Sequence, residues 1–124
     1  MILRWMPKRF AICRWDPDAS IPHWTRNQPF YSMTRTPNEF SIVCDVSGVP
    51  SEFPADRGWR ALEVAGPMDL STVGVLASLL TPLAQAGIAI FAISTFDTDY
   101  ILVKESAAES AENALRMAGH EVGV

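Results

Sequence analysis

Between Asp69 and Asp97 the chain carries no charged residue. So long an uncharged stretch leaves two options, a membrane span or the interior of a packed unit. Ser71, Thr72, Ser78, Thr81, Pro82 and Gln85 interrupt it, and Gly87 stops a helix within it. It reads as a buried helix followed by a buried strand, 88–95, with no membrane contact. Asp97 and Asp99 then fall together in a polar turn before a second strand, 99–104. An α/β unit of this kind buries nearly everything except its polar corners, so function is sought at the corners.

The pattern is echoed earlier. FYSMTRTPNEFSIVCD (30–45) lies without a gap over IFAISTFDTDYILVKE (90–105) at an offset of 60 residues. RFAICR (9–14) lies over WRALEV (59–64) at an offset of 50. Internal self-similarity of this sort points to two copies of one module. The expected division is a degenerate first module, 1–50, a linker, 51–58, rich in Gly, Pro and Ser, and a full second module, 59–124.

In the first module, two prolines in DPDASIPHW (16–24) leave room for at most one short helical turn. Strands 30–36 and 39–45 form a hairpin around Thr36-Pro37-Asn38. The second module opens with strand 59–65. Asp69 or Ser71 is placed to cap the next helix, and Val73, Leu76, Ala77, Leu80, Leu83 and Ala84 share one face. Val75, Leu79 and Ala86 widen that apolar surface, which asks for a second partner, either the other module or another subunit. Gly74, Ser78, Thr81 and Gln85 form the remaining stripe, and Pro82 predicts a kink near Ser78. In the last helix Ser106 and Glu109 have capping-box spacing. Ala107, Ala111, Ala114, Leu115 and Ala118 face inward there, and Glu105, Glu109, Glu112 and Arg116 face water. Gly119 ends it, and 120–122 add an edge strand. The order β-α-β-β-α-β is ferredoxin-like, an α+β arrangement.

Several function classes drop out. A net charge of −4 with no basic run excludes nucleic acid. Hydrophobic content of 48% against 19% charged residues excludes disorder. MILRWMPKRF lacks an apolar run of signal-peptide length, and Cys13 and Cys44, without CxxC spacing, read as a pair of core thiols. The expected location is the cytoplasm. No GxSxG, HExxH or phosphate-binding glycine loop is present. His23 and His120 lack a spaced nucleophile or acid. Trp5, Trp15, Trp24 and Trp59 read as core and interface anchors, and two carboxylates alone do not make a site for a hard cation. The expectation is a protein with no catalytic residues, metal or cofactor.

Two segments remain as candidates. Asp69, Ser71, Thr72, Val73 and Gly74 lie where free amides and the helix dipole favour an anion such as an amino-acid carboxylate, and Gly74 allows close approach. A plain capped helix is the alternative. Ser94, Thr95, Phe96, Asp97, Thr98 and Asp99 supply hydroxyls and carboxylates suited to an ammonium or a basic side chain. The alternative there is a hairpin turn closed by its own aspartates.

Residues 59–120 resemble an ACT domain, most closely of the CASTOR type. The likeness rests on GPMDLSTVGVLASL at the helix start and ISTFDTDYILV in the strand-turn-strand. Residues 1–50 are similar, on weaker motifs, to the degenerate first module of two-module bacterial proteins. The resemblance implies two modules sharing a sheet and a regulatory role without catalysis. It also implies an amino acid or similar zwitterion bound at the seam between modules, and a homo-oligomer or a partner protein docked on the apolar helix edge. The rival expectation is an assembly module whose pocket is vestigial.

Overall fold

The computed structural model describes every residue except Arg26. The chain divides into two compact units, Lys8–Trp59 and Met1–Pro7 together with Arg60–Val124.

The Lys8–Trp59 unit contains strands β2 (Phe10–Trp15), β3 (Tyr31–Arg35) and β4 (Phe40–Asp45), and the first residues of β5 (Asp56–Val64). β4 pairs antiparallel with both β2 and β3. The β3–β4 turn closes at Thr36 as expected, its amide donating to the Glu39 carbonyl at 2.9 Å and its Oγ1 accepting from the amides of Asn38 and Glu39. Among the described residues this unit has only 3₁₀ turns, at His23–Thr25 and Val46–Gly48. Aromatic rings do the covering a helix would otherwise do. Trp15 packs against Phe53, Phe40 and Trp24 with centroids 5.0, 5.8 and 5.9 Å away. Cys13 and Cys44 are buried free thiols in the same core.

The other unit carries β1 (Ile2–Trp5), the remainder of β5, α1 (Val75–Gln85), β6 (Phe91–Ser94), β7 (Asp99–Lys104), α2 (Ala108–Met117) and β8 (Glu121–Gly123). From β5 onward this is the β-α-β-β-α-β order. Its core joins Leu3, Trp5, Leu62, Val64, Leu79, Leu83, Ile101, Val103, Ala111, Leu115 and Val122. Strand β1 has no counterpart in the sequence reading. It lies antiparallel to β5, with Leu3 opposite Val64, and parallel to β8, with Leu3 opposite Val122. The unit boundaries therefore differ from those expected: Met1–Pro7 belong with the second module, and Asp56–Gly58 are strand rather than linker.

The repeat is real in pattern but its register is 59 residues. Arg35 pairs with Phe40 as Ser94 pairs with Asp99, and the Thr36–Glu39 turn bond recurs as Thr95 N–H to the Thr98 carbonyl at 2.8 Å. A slip of one residue exchanges the two faces of a strand, so Ile42 corresponds to Ile101 rather than Leu102.

Both helix starts also differ from expectation. α1 begins after Gly74, which adopts φ +83°, and no side chain caps it. The Asp69 carboxylate is instead closed on its own turn, accepting from the Ser71 amide and hydroxyl at 2.9 Å each. With Val73 ahead of the helix and 92% exposed, the inward face rotates to Leu79 and Leu83, flanked by Val75, Leu76 and Leu80. Ala77 and Ala84 are exposed, and α1 runs continuously through Pro82. At α2 a 3₁₀ turn, Glu105–Ala107, puts Ala107 at the cap, so Ser106 and Glu109 form no capping box. Ala118 is exposed at its end. Glu112 does not simply face water, because its Oε1 accepts from Trp5 Nε1 at 2.6 Å.

Candidate functional site

The start of α1 and the β6–β7 turn face one another across a cleft of about 360 Å³. One wall is the approach to α1, with Asp69, Thr72 and Gly74 from the expected set; the other is Ser94 to Asp99. Two expected residues do not line it. Ser71 turns its hydroxyl to Asp69, and Val73 projects away. The wall also includes Met68, Leu70, Val75, Leu76 and Ala77. Nothing in the sequence distinguishes these apolar residues from ordinary core positions.

The helix wall follows from the loop preceding it. Asp69 closes a tight turn, with the Thr72 amide donating to its carbonyl at 2.9 Å. Gly74 then swings the chain into α1 through the left-handed region open to glycine. No side chain caps α1, and Val75, Leu76 and Ala77 line the cleft, so the uncapped first turn of the helix lies at the cleft. That is the end of a helix that favours an anion.

The opposite wall is a tight turn knotted by hydroxyls. Thr95 Oγ1 accepts from the Thr98 amide at 3.2 Å, and Ser94 Oγ donates to Asp99 Oδ1 at 2.6 Å. The Asp99 carboxylate is buried, and Ser94 already occupies one of its oxygens. Thr98 is buried as well, its Oγ1 donating to the Val64 carbonyl at 2.6 Å. Asp97 is the exception. Its carbonyl accepts from the Met68 amide at 2.7 Å, while its carboxylate is exposed and has no hydrogen-bond partner among the described residues.

The lining thus holds three carboxylates, Asp69, Asp97 and Asp99, and no Lys, Arg or His. The Ser71 amide, and then its hydroxyl, hold the Asp69 carboxyl below its ordinary range. Among the described residues no group of three or more His, Cys, Asp or Glu is placed to hold a metal ion. Nor is any helix there long and apolar enough to cross a membrane. Leu70 and Phe96 stand at the cleft 67% and 78% exposed.

Comparison with known proteins agrees with this architecture. The ACT domain profile matches residues 55–117, and an N-terminal domain profile matches 8–52. The cytosolic arginine sensor for mTORC1 subunit 1 of Bos taurus is 32% identical over 87 residues, 61% of this chain and 26% of the sensor. The human sensor matches to the same extent, so the matched region spans about a quarter of these relatives' length. A crystal structure of an Agrobacterium tumefaciens protein is 35% identical, with a TM-score of 0.90 over 98% of this chain and 90% of that one. The fold alone is shared with the regulatory subunit of aspartate kinase from Thermus thermophilus. That chain is 14% identical, with a TM-score of 0.61 over 90% of this chain and 93% of its own. By the extent of the profile match and by its likeness to the arginine sensors, this chain belongs to the ACT domain family, with a module of the CASTOR type.

Proposed function

We propose that this protein is a non-catalytic sensor that binds an amino acid, one with a cationic side chain, in the cleft between the start of α1 and the β6–β7 turn. The observation that carries the reading is the polarity of the two walls. Uncapped helix amides on one side suit an α-carboxylate. The unpaired Asp97 carboxylate on the other suits an ammonium or guanidinium. With no basic residue in the lining, an acidic ligand would meet only like charge there. The arginine sensors among the relatives support the same class. Leu70, Val73 and Phe96, exposed and apolar, are suited to a second ACT module in a homo-oligomer or partner protein, which would close the cleft as the seam between modules.

The test is a melting and calorimetric titration with L-arginine, L-lysine, L-norleucine and L-glutamate. A ligand present at 100 times its dissociation constant stabilises by about 2.7 kcal/mol, a melting shift of about 10 °C for a domain of this size. L-arginine or L-lysine should produce such a shift, L-glutamate should not, and Asp97→Asn should weaken binding at least tenfold. If no amino acid shifts the melt by more than a degree at millimolar concentration, the assembly reading replaces this one. The exposed Leu70, Val73 and Phe96 favour it as the second choice.

A further inference from the structure

The two walls of the cleft are fastened to each other at their base, through the strip that leaves β5. Thr98 Oγ1 donates to the carbonyl of Val64, the last residue of β5, and the Met68 amide donates to the Asp97 carbonyl. Between these bonds lies Gly66, pressed against the turn. A Cβ placed on it would stand 3.1 Å from the Asp97 carbonyl oxygen and 3.2 Å from Thr98 Cβ. Three residues further on, the strip becomes Asp69 and the helix wall. The position of Asp97 relative to α1 is therefore fixed from behind by one buried hydroxyl and one missing side chain.

We propose that Thr98 is the positioning residue of the cleft, with Gly66 as its steric counterpart, an inference that rests on the sensor reading above. Thr98 stands in the cleft wall, but its hydroxyl proton is already given to Val64, so it has no donor left for a ligand. It acts through Asp97. With the clamp closed, the backbone at Asp97 is held at one distance from the start of α1, so the reach of its carboxylate is bounded and the cleft selects ligands by the spacing between carboxylate and cationic group. With the clamp open, the turn gains freedom and that spacing is lost.

Two readouts test this on the full chain. The first needs no ligand. Hydrogen exchange at the Met68 amide reports whether the Asp97 carbonyl stays in place. Thr98→Val keeps the shape and removes the donor, so exchange should quicken at least tenfold; Thr98→Ser keeps the donor and should restore protection. Gly66→Ala should quicken it as well, by displacing the Asp97 carbonyl. The second readout is calorimetric titration with L-arginine and L-lysine. Thr98→Val should weaken both at least tenfold and narrow the preference between them, and Thr98→Ser should bind as wild type does. Leu115→Val, a core change on α2 in the same unit, lowers stability and should alter neither readout.

Unchanged Met68 protection in Thr98→Val overturns the clamp, whether or not wild type binds either amino acid. Equal losses in Thr98→Val and Thr98→Ser overturn it too, because packing rather than the donated bond would then be responsible. If wild type binds neither probe while Met68 protection collapses in Thr98→Val alone, the sensor reading falls and the clamp stands.

Discussion

His120 Nε2 lies 3.0 Å from the carbonyl oxygen of Ser78, the acceptor that Pro82 leaves without its helical donor. In an α-helix the amide of residue 82 would bond that oxygen, and proline has no amide hydrogen. The partner is a carbonyl, so the Nε2 position must carry the proton. A histidine that looks incidental in sequence thus completes α1 from the far end of α2.

A double-mutant cycle measures this. His120→Ala should cost about 0.5–1.5 kcal/mol, the usual net worth of one hydrogen bond. In a Pro82→Ala background the new amide at position 82 supplies the donor, and the same His120 change should cost almost nothing. Urea denaturation of the four proteins gives the coupling. Equal costs in both backgrounds would mean that the imidazole contributes only by contact.

Removing residues 1–7 should unfold the unit that carries the cleft. Leu3 and Trp5 are 1% and 8% exposed, and each buried large apolar side chain is worth about 1.5–3 kcal/mol. The deletion also strips β5 and β8 of their shared partner, including the Ala65 amide bond to the Ile2 carbonyl at 2.8 Å. Circular dichroism and amide dispersion should show loss of structure in residues 60–124. A deletion protein that melts cooperatively near the wild-type temperature would contradict this.

What the sequence discloses is mostly local. Thr36-Pro37-Asn38 and the Asp97–Asp99 segment announce their turns because the bonding groups lie within three residues of one another. The uncharged run to Phe96 announces α1 and β6 as elements but overstates their burial: within it only Leu79 and Leu83 are buried, and β6 alternates half-buried with exposed residues where a buried strand was expected. Strand β1 is hidden for the opposite reason: its partner Val64 is far off in the chain, and four residues with Arg4 among them carry little periodicity. The echo between hairpins is visible, but apolar strands look nearly alike one residue out of register, and the strand pairings with the turn bonds at Thr36 and Thr95 fix the offset. In the cleft, polar residues stand out, while Met68, Leu70 and Leu76 give no sign. Asp69 and Gly74 are legible as residues and not as geometry, because neither an Asx-type closure nor a positive φ is written in composition.

Gly74 makes the consequence measurable. As a mid-helix glycine it would gain stability on substitution by alanine, by roughly 1 kcal/mol. At φ +83° the sign reverses. A Cβ would meet no atom within 4 Å, so the penalty is conformational alone, roughly 1–2 kcal/mol for an L-residue held left-handed. Gly74→Ala should therefore be less stable than wild type, and Gly74→Asn should lie between them, because asparagine tolerates this region better. Chemical denaturation of the three proteins decides it, and a stabilised alanine variant would contradict the left-handed turn.

Acid should loosen the helix approach through Asp69. Its carboxyl is held below the ordinary value of 3.8 first by the Ser71 amide and then by the Ser71 hydroxyl. The sign follows from linkage: a carboxyl whose folded value is depressed contributes stability that is complete above its unfolded value. That contribution is lost as pH falls through the folded one. The Asp69 turn should therefore keep its structure at neutral pH and open only under acid, below the range in which an unassisted carboxylate titrates. Carboxyl carbon shifts followed by NMR from about pH 6 to about pH 2, a span that brackets the ordinary carboxylate range, should place the Asp69 midpoint below 3.8. Ser71→Ala removes the hydroxyl but keeps the amide, so the midpoint should rise part of the way and stop short of the ordinary value. Asp69→Asn, which cannot ionise, should remove this contribution to the acid dependence of the Ser71 amide shift. A wild-type midpoint at or above the ordinary value would mean that the two bonds from Ser71 are not held in solution, and the helix wall of the cleft would lose its fixed shape.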